Sequence, residues 1–208
     1  YAGRKYPTRP LFGDTHHHTS NSGDAFMAGD RLTPEEAYRF ARGEEVVSST
    51  GVPAKLSRPL DFLVISDHAE GLGLMFQVYE GNPAFMQDPI LAGWNKAMKE
   101  GGKAAADAAN DVVSRQAQGT LPPPVKDPKI VGPIMQSVWQ QYTATAEKYN
   151  DPGRFTAFIG YEWTSNTGGN NLHRNVIFRD DATRARQVEP LTTMKPLGSD
   201  DPTDLWRW

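Results

Sequence analysis

Apolar residues along the chain occur in two patterns, as short continuous runs and as longer segments with helical spacing. Residues 60–68 have a nearly continuous apolar centre, which predicts a strand buried on both faces of a parallel sheet. Residues 10–12 predict a short strand that runs into a polar loop, and further strands are expected at 155–163 and 173–178. Since helical segments lie between these strands, the pattern predicts an α/β fold.

The first predicted helix has a clear start signal. Thr33-Pro34-Glu35-Glu36 is a capping box with proline at the first helical position. Ala37, Phe40 and Ala41 then supply an apolar stripe with helical spacing. We expect residues 43–58, which follow this helix, to be a surface excursion.

A long helical region is predicted between about residues 72 and 150. Its two longest helical patterns cover residues 103–118 and 130–148, and Pro122-Pro123-Pro124 separates them because consecutive prolines do not fit a helix interior. We interpret the region as an insertion that lies over the sheet. Its large apolar side chains are expected to be packing residues: Trp94, Met98, Met135 and Trp139.

The composition narrows the class of protein. A chain of 208 residues suits one domain, and its net charge of −3, without a long basic block, argues against nucleic acid as the main partner. No apolar run approaches the roughly 18 residues that a membrane span needs. The absence of cysteine excludes disulfides and thiolate ligands, so any metal must be held by histidine, aspartate or glutamate.

Both ends of the chain suggest a piece of a longer protein. The chain begins with Tyr1 rather than methionine, so we expect that an upstream segment was removed. Localisation is unknown, and a periplasmic or secreted location stays open if that segment was a signal peptide. Asp201, Pro202 and Asp204 form a helix start with few residues after it. We therefore expect a missing C-terminal segment, supplied as a companion fragment of the same protein, or an oligomer partner.

Three histidines stand in a row in Gly13-Asp14-Thr15-His16-His17-His18-Thr19. If this run is extended, alternation places His16 and His18 on one face, about 6 to 7 Å apart, and His17 on the other. Two imidazoles on one face can hold one cation, so the run predicts a metal site. The alternatives are a purification scar and a solvated polar turn.

Further candidate metal ligands occur at the ends of predicted strands: Asp67 with His68, Glu162, and His173. Because α/β folds collect chemistry at the carboxyl edge of the sheet, we expect these residues to converge with the histidine run. Glu162 has two carboxylate oxygens and can bridge metals about 3.5 to 4 Å apart. Asp67 fits two roles equally well, that of a ligand and that of a partner which orients a ligand.

The remaining candidates concern catalysis and orientation. We expect Glu162 and Asp67 at the catalytic centre and Arg174 as a contact for an anion, with a solvated surface arginine as the alternative. Ligand histidines need acceptors for their distal ring nitrogens, and the candidate acceptors are Asp14, Asp61, Asp67 and Thr19. Gly168-Gly169 gives a loop near the site freedom to close over a substrate.

Several of these segments resemble a known family. Asp14-Thr15-His16-His17-His18-Thr19 resembles the Asp-Leu-His-x-His-Thr motif that opens the PHP (polymerase and histidinol phosphatase) superfamily, and Ile65-Ser66-Asp67-His68 resembles its Ile-Thr-Asp-His motif. The chain more closely resembles the bacterial domain-of-unknown-function family numbered 3604, a distant PHP relative. Four further segments carry this resemblance: Pro34-Glu35-Glu36-Ala37-Tyr38-Arg39, Asp67-His68-Ala69-Glu70, Gly160-Tyr161-Glu162-Trp163 and His173-Arg174-Asn175-Val176.

The resemblance implies two or three divalent metal ions, which would be manganese, zinc or iron. The ligands that it implies form three sets: His16 with His18, Glu162 with His173, and Asp24 with His68. Glu162 would bridge the first two metals. Asp24 stands where many PHP enzymes have another histidine, a departure that would weaken the third site or favour manganese or iron over zinc.

The resemblance also implies a fold, a partial and distorted (β/α)7 barrel of PHP type with the helical insertion at about 72–150. Residues 1–208 would be the N-terminal part of one such domain. The later ligands of the superfamily, including an Asp-x-His pair, have no match after His173. The missing C-terminal segment would therefore complete both the barrel and the site.

The function that follows is a metal-dependent phosphoesterase that uses metal-activated water on a small phosphorylated substrate. One alternative is a metal-dependent hydrolase of amides, lactones or carboxylic esters, since Lewis-acid activation also serves a carbonyl. The other is a non-catalytic metal-binding or interaction module, in which the metal site is structural.

Overall fold

The structure of the protein, a computed structural model, describes Gly3 and residues 8–208. In chain order, its strands are β1 (Gly13–His17), β2 (Val46–Val47), β3 (Pro53–Ala54), β4 (Phe62–Ile65), β5 (Thr156–Phe158), β6 (Gly160–Ser165) and β7 (Leu172–Ile177). Its α-helices are α1 (Gly23–Met27), α2 (Pro34–Ala41), α3 (Leu74–Glu80), α4 (Pro83–Met86), α5 (Pro89–Glu100), α6 (Gly102–Gln118), α7 (Pro128–Tyr149), α8 (Ala182–Ala185) and α9 (Pro202–Arg207). Short 3-10 helices cover Pro123–Lys126 and Thr167–Gly169.

The central sheet is parallel and has the strand order β1-β4-β5. Strand β4 lies in the middle, and its Leu63, Val64 and Ile65 are buried, as expected for a strand covered on both faces. The helices α2 and α7 pack together and contact this sheet. The predicted α/β class with a parallel sheet is confirmed. Within the part of the chain that the structure describes, the strands form separate sheets and close no barrel.

The strand predicted at residues 10–12 is wrong, whereas the extended conformation considered for the histidine run is present. Leu11 and Phe12 lie outside any strand and are about half exposed, whereas β1 is formed by the polar run Gly13–His17. Backbone pairing with β4 explains the difference, because Gly13 lies opposite Phe62 and Asp14 opposite Leu63. An edge strand is held by backbone hydrogen bonds, so its side chains need not be apolar and their polarity does not predict where the strand lies.

The segment 155–163, predicted as one strand, forms two. Strand β5 pairs with β4, and after Ile159 the chain enters β6, which forms an antiparallel pair with β7. Gly160 marks the change, since a Cβ there would lie 2.5 Å from Cγ1 of Val64 and 2.8 Å from the carbonyl oxygen of Val176. The missing side chain lets β6 cross close to β4 and begin a separate sheet.

The first helix starts as predicted. Helix α2 has Pro34 in its first turn, and the Thr33–Glu36 capping box is present. The predicted apolar stripe is only partly right, because Ala37 and Ala41 are buried while Phe40 stays partly exposed and Tyr38 is the buried aromatic residue. The surface excursion at 43–58 contains the small antiparallel pair β2–β3.

The helical region predicted at about 72–150 comprises α3 to α7. Its large apolar side chains all lie in the core, as predicted: Trp94, Met98, Met135 and Trp139. Helix α6 ends at Gln118, with Gly119 as its C-cap, and the Pro122-Pro123-Pro124 segment that follows begins a 3-10 helix and separates α6 from α7, as predicted. Within the described residues, no helix combines the length and apolarity that crossing a membrane requires.

The predicted helix start near the end of the chain is confirmed. Asp201 caps α9 by accepting a hydrogen bond from the Thr203 backbone N–H at 2.8 Å, and Pro202 begins the helix. Leu205 is buried against the core. The companion segment or oligomer partner stays a prediction.

Candidate metal centre

The candidate ligands meet at the carboxyl edge of the parallel sheet. His16 and His18 lie at the end of β1, His68 follows β4, and Glu162 lies in β6 beyond the end of β5. The backbone holds these ends together, because Glu162 donates its N–H to the Asp67 carbonyl at 3.0 Å and accepts one from Ala69 at 2.8 Å. The predicted convergence of distant segments therefore occurs in the structure.

A buried carboxylate stands at the centre of the cluster. Glu162 is fully buried, and its Oε2 lies 3.0 Å from Nε2 of His16 and 2.8 Å from Nε2 of His18. Its Oε1 lies 2.5 Å from Nδ1 of His173 and accepts a hydrogen bond from Oγ1 of Thr164 at 2.9 Å. Both carboxylate oxygens thus face imidazole nitrogens, one from β1 and its continuation, the other from β7.

A second carboxylate, that of Asp24, contacts the histidines from the other side. Its Oδ2 lies 3.1 Å from Nδ1 of His18 and 3.6 Å from Nε2 of His68. Ser22 supports this arrangement, because its hydroxyl donates to Oδ1 of Asp24 at 2.7 Å and accepts the backbone N–H of His68 at 3.2 Å. The short helix α1 carries Asp24 in its first turn and so fixes the carboxylate beside the two rings.

The side chains form three overlapping groups that could each hold a metal ion: His16 with His18 and Glu162, His18 with Asp24 and His68, and His68 with Glu162 and His173. Within each group the potential ligand atoms lie within 4.8 Å of one another. All six residues that the sequence predicts as ligands are members, and His17 is not. The groups share His18, His68 and Glu162, so neighbouring ions would have ligands in common.

The residues fit a divalent metal ion. Nδ1 of His68 is buried and has no hydrogen-bond partner among the described residues, although it lies 3.5 Å from carboxylate oxygens of both Glu70 and Glu162. A buried polar atom of this kind indicates a missing partner. Imidazole nitrogens together with carboxylate oxygens suit manganese, iron and zinc, and these donors do not single out one of the three.

The electrostatics of the cluster favour positive charge. Burial opposes protonation of His18, but hydrogen bonds to Asp24 and Glu162 outweigh it and raise the pKa of His18 to about 9. Burial likewise opposes protonation of His68, yet the Asp24 and Glu70 carboxylates raise its pKa to about 10. Burial would keep Glu162 neutral, but the hydrogen bond from His18 and the charge of His68 lower its pKa to about 2. Carboxylates that hold protons on their neighbours also attract a cation.

Asp67 is buried but lies outside the three groups. Its carboxylate accepts hydrogen bonds from the backbone N–H of Thr19 at 2.5 Å and from Oγ1 of Thr19 at 2.6 Å. Burial raises the pKa of Asp67 to about 6, although the bonds from Thr19 oppose that shift. These contacts place Asp67 against the loop that follows His18, where its carboxylate bonds Thr19 rather than a histidine ring, so its expected part at the catalytic centre stays a prediction.

The remaining sequence expectations for the site have mixed outcomes. Arg174 is exposed and donates to the carbonyl oxygen of its neighbour His173 at 2.8 Å, and its expected contact with an anion stays a prediction. Of the expected acceptors, Asp61 binds Arg9 and Asp14 accepts the backbone N–H of His16. Their hydrogen bonds reach no imidazole ring of the cluster, because the neighbouring backbone N–H and the Arg9 guanidinium engage these carboxylates locally.

Sequence reasoning missed several supporting residues. Glu70 is almost fully buried and accepts the backbone N–H groups of Thr164 and Thr193 at 3.1 and 2.9 Å, which ties residues near the C-terminus to the cluster. Asn175 donates to the carbonyl oxygen of Thr15 at 2.7 Å and so joins β7 to β1. The motif segments Asp67-His68-Ala69-Glu70 and His173-Arg174-Asn175-Val176 contain both residues and could have suggested them.

Comparisons with known proteins give one match. A family model described as "Protein of unknown function (DUF3604)" matches residues 5–208, nearly the whole chain. No curated protein and no solved structure matched the chain.

Proposed function

The chain belongs to the DUF3604 family, and we propose that it is a metal-dependent hydrolase of phosphate esters, related to the PHP superfamily. The observation that carries the proposal is the sharing of one buried carboxylate, Glu162, between two of the three candidate metal-binding groups. A carboxylate that bridges neighbouring ions is typical of multinuclear hydrolytic sites. A purely structural site needs only one closed set of ligands.

In this proposal His16, His18 and Glu162 hold one ion, and Glu162 with His173 and His68 holds a second. Asp24 adds a carboxylate beside His18 and His68 for a third position. Divalent ions held there would polarise water and offset negative charge on the oxygens of a phosphate ester.

The protein's own residues define the side from which a substrate approaches. The side chains of His16, Asp24 and His173 are 50%, 52% and 46% exposed, whereas that of Glu162 is 0% exposed. The cluster is therefore covered on the Glu162 side and open on the side of these three residues. A phosphate group would approach from that open side.

The reaction balances with water alone. The oxygen of water forms a bond to phosphorus, the ester bond between phosphorus and the organic oxygen breaks, and the organic group leaves as an alcohol. One proton of the water ends on that alcohol, and the other remains with the phosphate product or passes to solvent. No oxidant, reductant or covalent intermediate on the protein is required.

The proposal includes a relationship between this chain and the PHP superfamily. It is supported by the parallel order β1-β4-β5 with candidate ligands at the carboxyl edge, and by the backbone bridge between His68 and Glu162 that continues the edge beyond β5. We propose that this sheet is the first part of a distorted (β/α)7 barrel. The strands that would complete it would come from the companion segment predicted from the sequence.

The decisive experiment measures metal content and phosphate release together. The protein is loaded with manganese, zinc or iron and assayed on phosphate monoesters and diesters, alongside Glu162→Gln. Removal of the central charge is expected to lower metal affinity by more than about 100-fold, since loss of an outer-sphere partner alone costs about 10- to 100-fold. The matched control Glu80→Gln changes an exposed glutamate on α3 and should leave both quantities unchanged.

Two results would overturn the proposal. One is the absence of metal-stimulated hydrolysis for every phosphate ester in a protein with full metal content, which would leave a structural metal site. The other is activity confined to carboxylic esters, lactones or amides, which would place the reaction at a carbonyl instead.

A further inference from the structure

A cavity of about 620 Å³ opens directly from the candidate metal centre. Three of the candidate ligands form part of its wall: Asp24, His68 and His173. Much of the remaining wall comes from α1 and the residues after it, from α6, and from the loop between β6 and β7, with further residues from α3 and α5. A volume between about 300 and 1,000 Å³ is typical of pockets for small organic molecules. A bare phosphate would fill only a small part of it.

The wall away from the ligands is largely apolar. Helix α6 contributes small side chains at helical spacing, with Ala105, Ala109 and Val113 lining the cavity. Methionines from three further helices, α1, α3 and α5, add apolar surface: Met27, Met75 and Met98. Alanine leaves space where a larger side chain would fill it, and methionine adapts to irregular ligand shapes. The cavity thus joins a polar end at the metal centre to an apolar body.

The charged side chains of the wall are concentrated near the metal centre. Arg31 is the exception, but its guanidinium donates to the carbonyl oxygens of Phe26 and Asp30 and lies 3.9 Å from the centre of the Phe26 ring. These contacts bind the Arg31 guanidinium to groups of the protein itself. Asn110 and Gln116 add uncharged amides from α6 that can orient a ligand. The apolar body therefore suits an uncharged group.

We propose that this cavity binds the organic group of the substrate, so that the natural substrate is a phosphate ester whose organic part is bulky, uncharged and largely apolar. The inference rests on the proposed phosphoesterase function and specifies its substrate class. Phosphate oxygens would lie at the ligand end, beside Asp24, His68 and His173. The organic group would lie between α6 and the methionine wall, where its burial favours binding by removing apolar surface from water.

The test compares a bulky and a small substrate on the metal-loaded protein. Phosphate release is measured for 1-naphthyl phosphate and for methyl phosphate, so that one readout serves both. Ala109→Phe places a ring in the cavity, and Ser114→Phe places the same ring on the exposed side of α6. We expect Ala109→Phe to lower kcat/KM for the naphthyl ester at least about tenfold and for the methyl ester less than about twofold. Ser114→Phe should change neither value.

Binding of 1-naphthol, followed by its fluorescence, keeps this inference separate from the proposed function. If the protein releases phosphate from no ester, the phosphoesterase proposal fails, and naphthol binding that Ala109→Phe weakens and Ser114→Phe does not still supports an apolar subsite. The inference is overturned if Ala109→Phe leaves naphthyl turnover and naphthol binding unchanged. Equal losses for both esters at unchanged metal content and melting temperature would overturn it as well.

Discussion

The metal-centre edge of the sheet and the α6 wall of the adjoining cavity are built in opposite ways. The edge collects residues as far apart in sequence as His16 and His173, which come from several different strands and their adjoining loops. One continuous helix, Gly102–Gln118, supplies the largest single share of the wall, and its small residues recur at helical spacing. The difference separates two tasks, since the chemistry requires convergence of distant segments, while the apolar face that α6 contributes to the cavity comes from one local segment.

Two buried carboxylates at the metal-centre edge show how neighbouring residues decide the role of a side chain. Glu162 and Asp67 are both fully buried, but Glu162 faces three imidazoles and has a pKa lowered to about 2. Asp67 faces Thr19 and has a pKa raised to about 6. Burial alone therefore does not select a metal ligand, and the neighbours brought by other strands decide the role.

The largest effect should come from removing the two same-face histidines. In the double variant His16→Ala, His18→Ala, we expect metal affinity to fall more than about 100-fold and metal-stimulated hydrolysis to be lost. The reason is that both imidazoles next to the same carboxylate oxygen of Glu162 are removed. His17→Ala is the matched control, since His17 lies in none of the three ligand groups. Elemental analysis and phosphate release check both variants. Equal metal loss in His17→Ala would contradict the face assignment.

Removal of the metal should have an intermediate effect on stability. A cation that binds only the folded protein adds about 4 kcal/mol at a thousandfold excess over its Kd. We expect a chelator to lower the melting temperature of the metal-loaded protein and to shift that of the His16→Ala, His18→Ala variant much less. Thermal unfolding with and without chelator measures the difference. Identical shifts in the two proteins would mean that the metal binds elsewhere.

The smallest effect is expected from substitutions in helix α6, which forms part of the cavity wall, and it concerns the free energy of unfolding. Asp111 accepts hydrogen bonds from Nε1 of the buried Trp94 at 3.0 Å and from Nε of Arg115 at 2.8 Å. Asp111→Ala should lower the free energy of unfolding by about 1 to 2 kcal/mol, because the indole N–H loses its partner. Asp107→Ala, which removes only the exposed pair with Lys103, should change it by less than about 1 kcal/mol.

Denaturant unfolding measures both variants, and their metal content should equal that of the unchanged protein because distant sites act independently. Metal loss in Asp111→Ala would show that the two regions are coupled. That outcome would weaken the separation between the chemical edge and the cavity wall.

Much of the fold was predictable because its signals are local. The capping box at Thr33–Glu36 and the apolar run before Asp67 each depend on neighbours in sequence, and both appear as predicted. The division of 155–163 into two strands was not predictable, since the reason is the close approach of Gly160 to Val64 and Val176. The exposure of Phe12 and the polar strand β1 likewise depend on pairing with β4.

By itself, the sequence determined which chemical groups are available. A chain without cysteine, with His16 and His18 two positions apart and Glu162 and His173 after apolar runs, restricts any metal to imidazole and carboxylate ligands. Only the tertiary structure decided that both oxygens of Glu162 face imidazoles, that Asp67 bonds the loop after His18, and that a cavity adjoins the cluster. The physical reason is range, because residue chemistry and backbone preference act within a few residues, whereas convergence depends on strand pairing across more than a hundred.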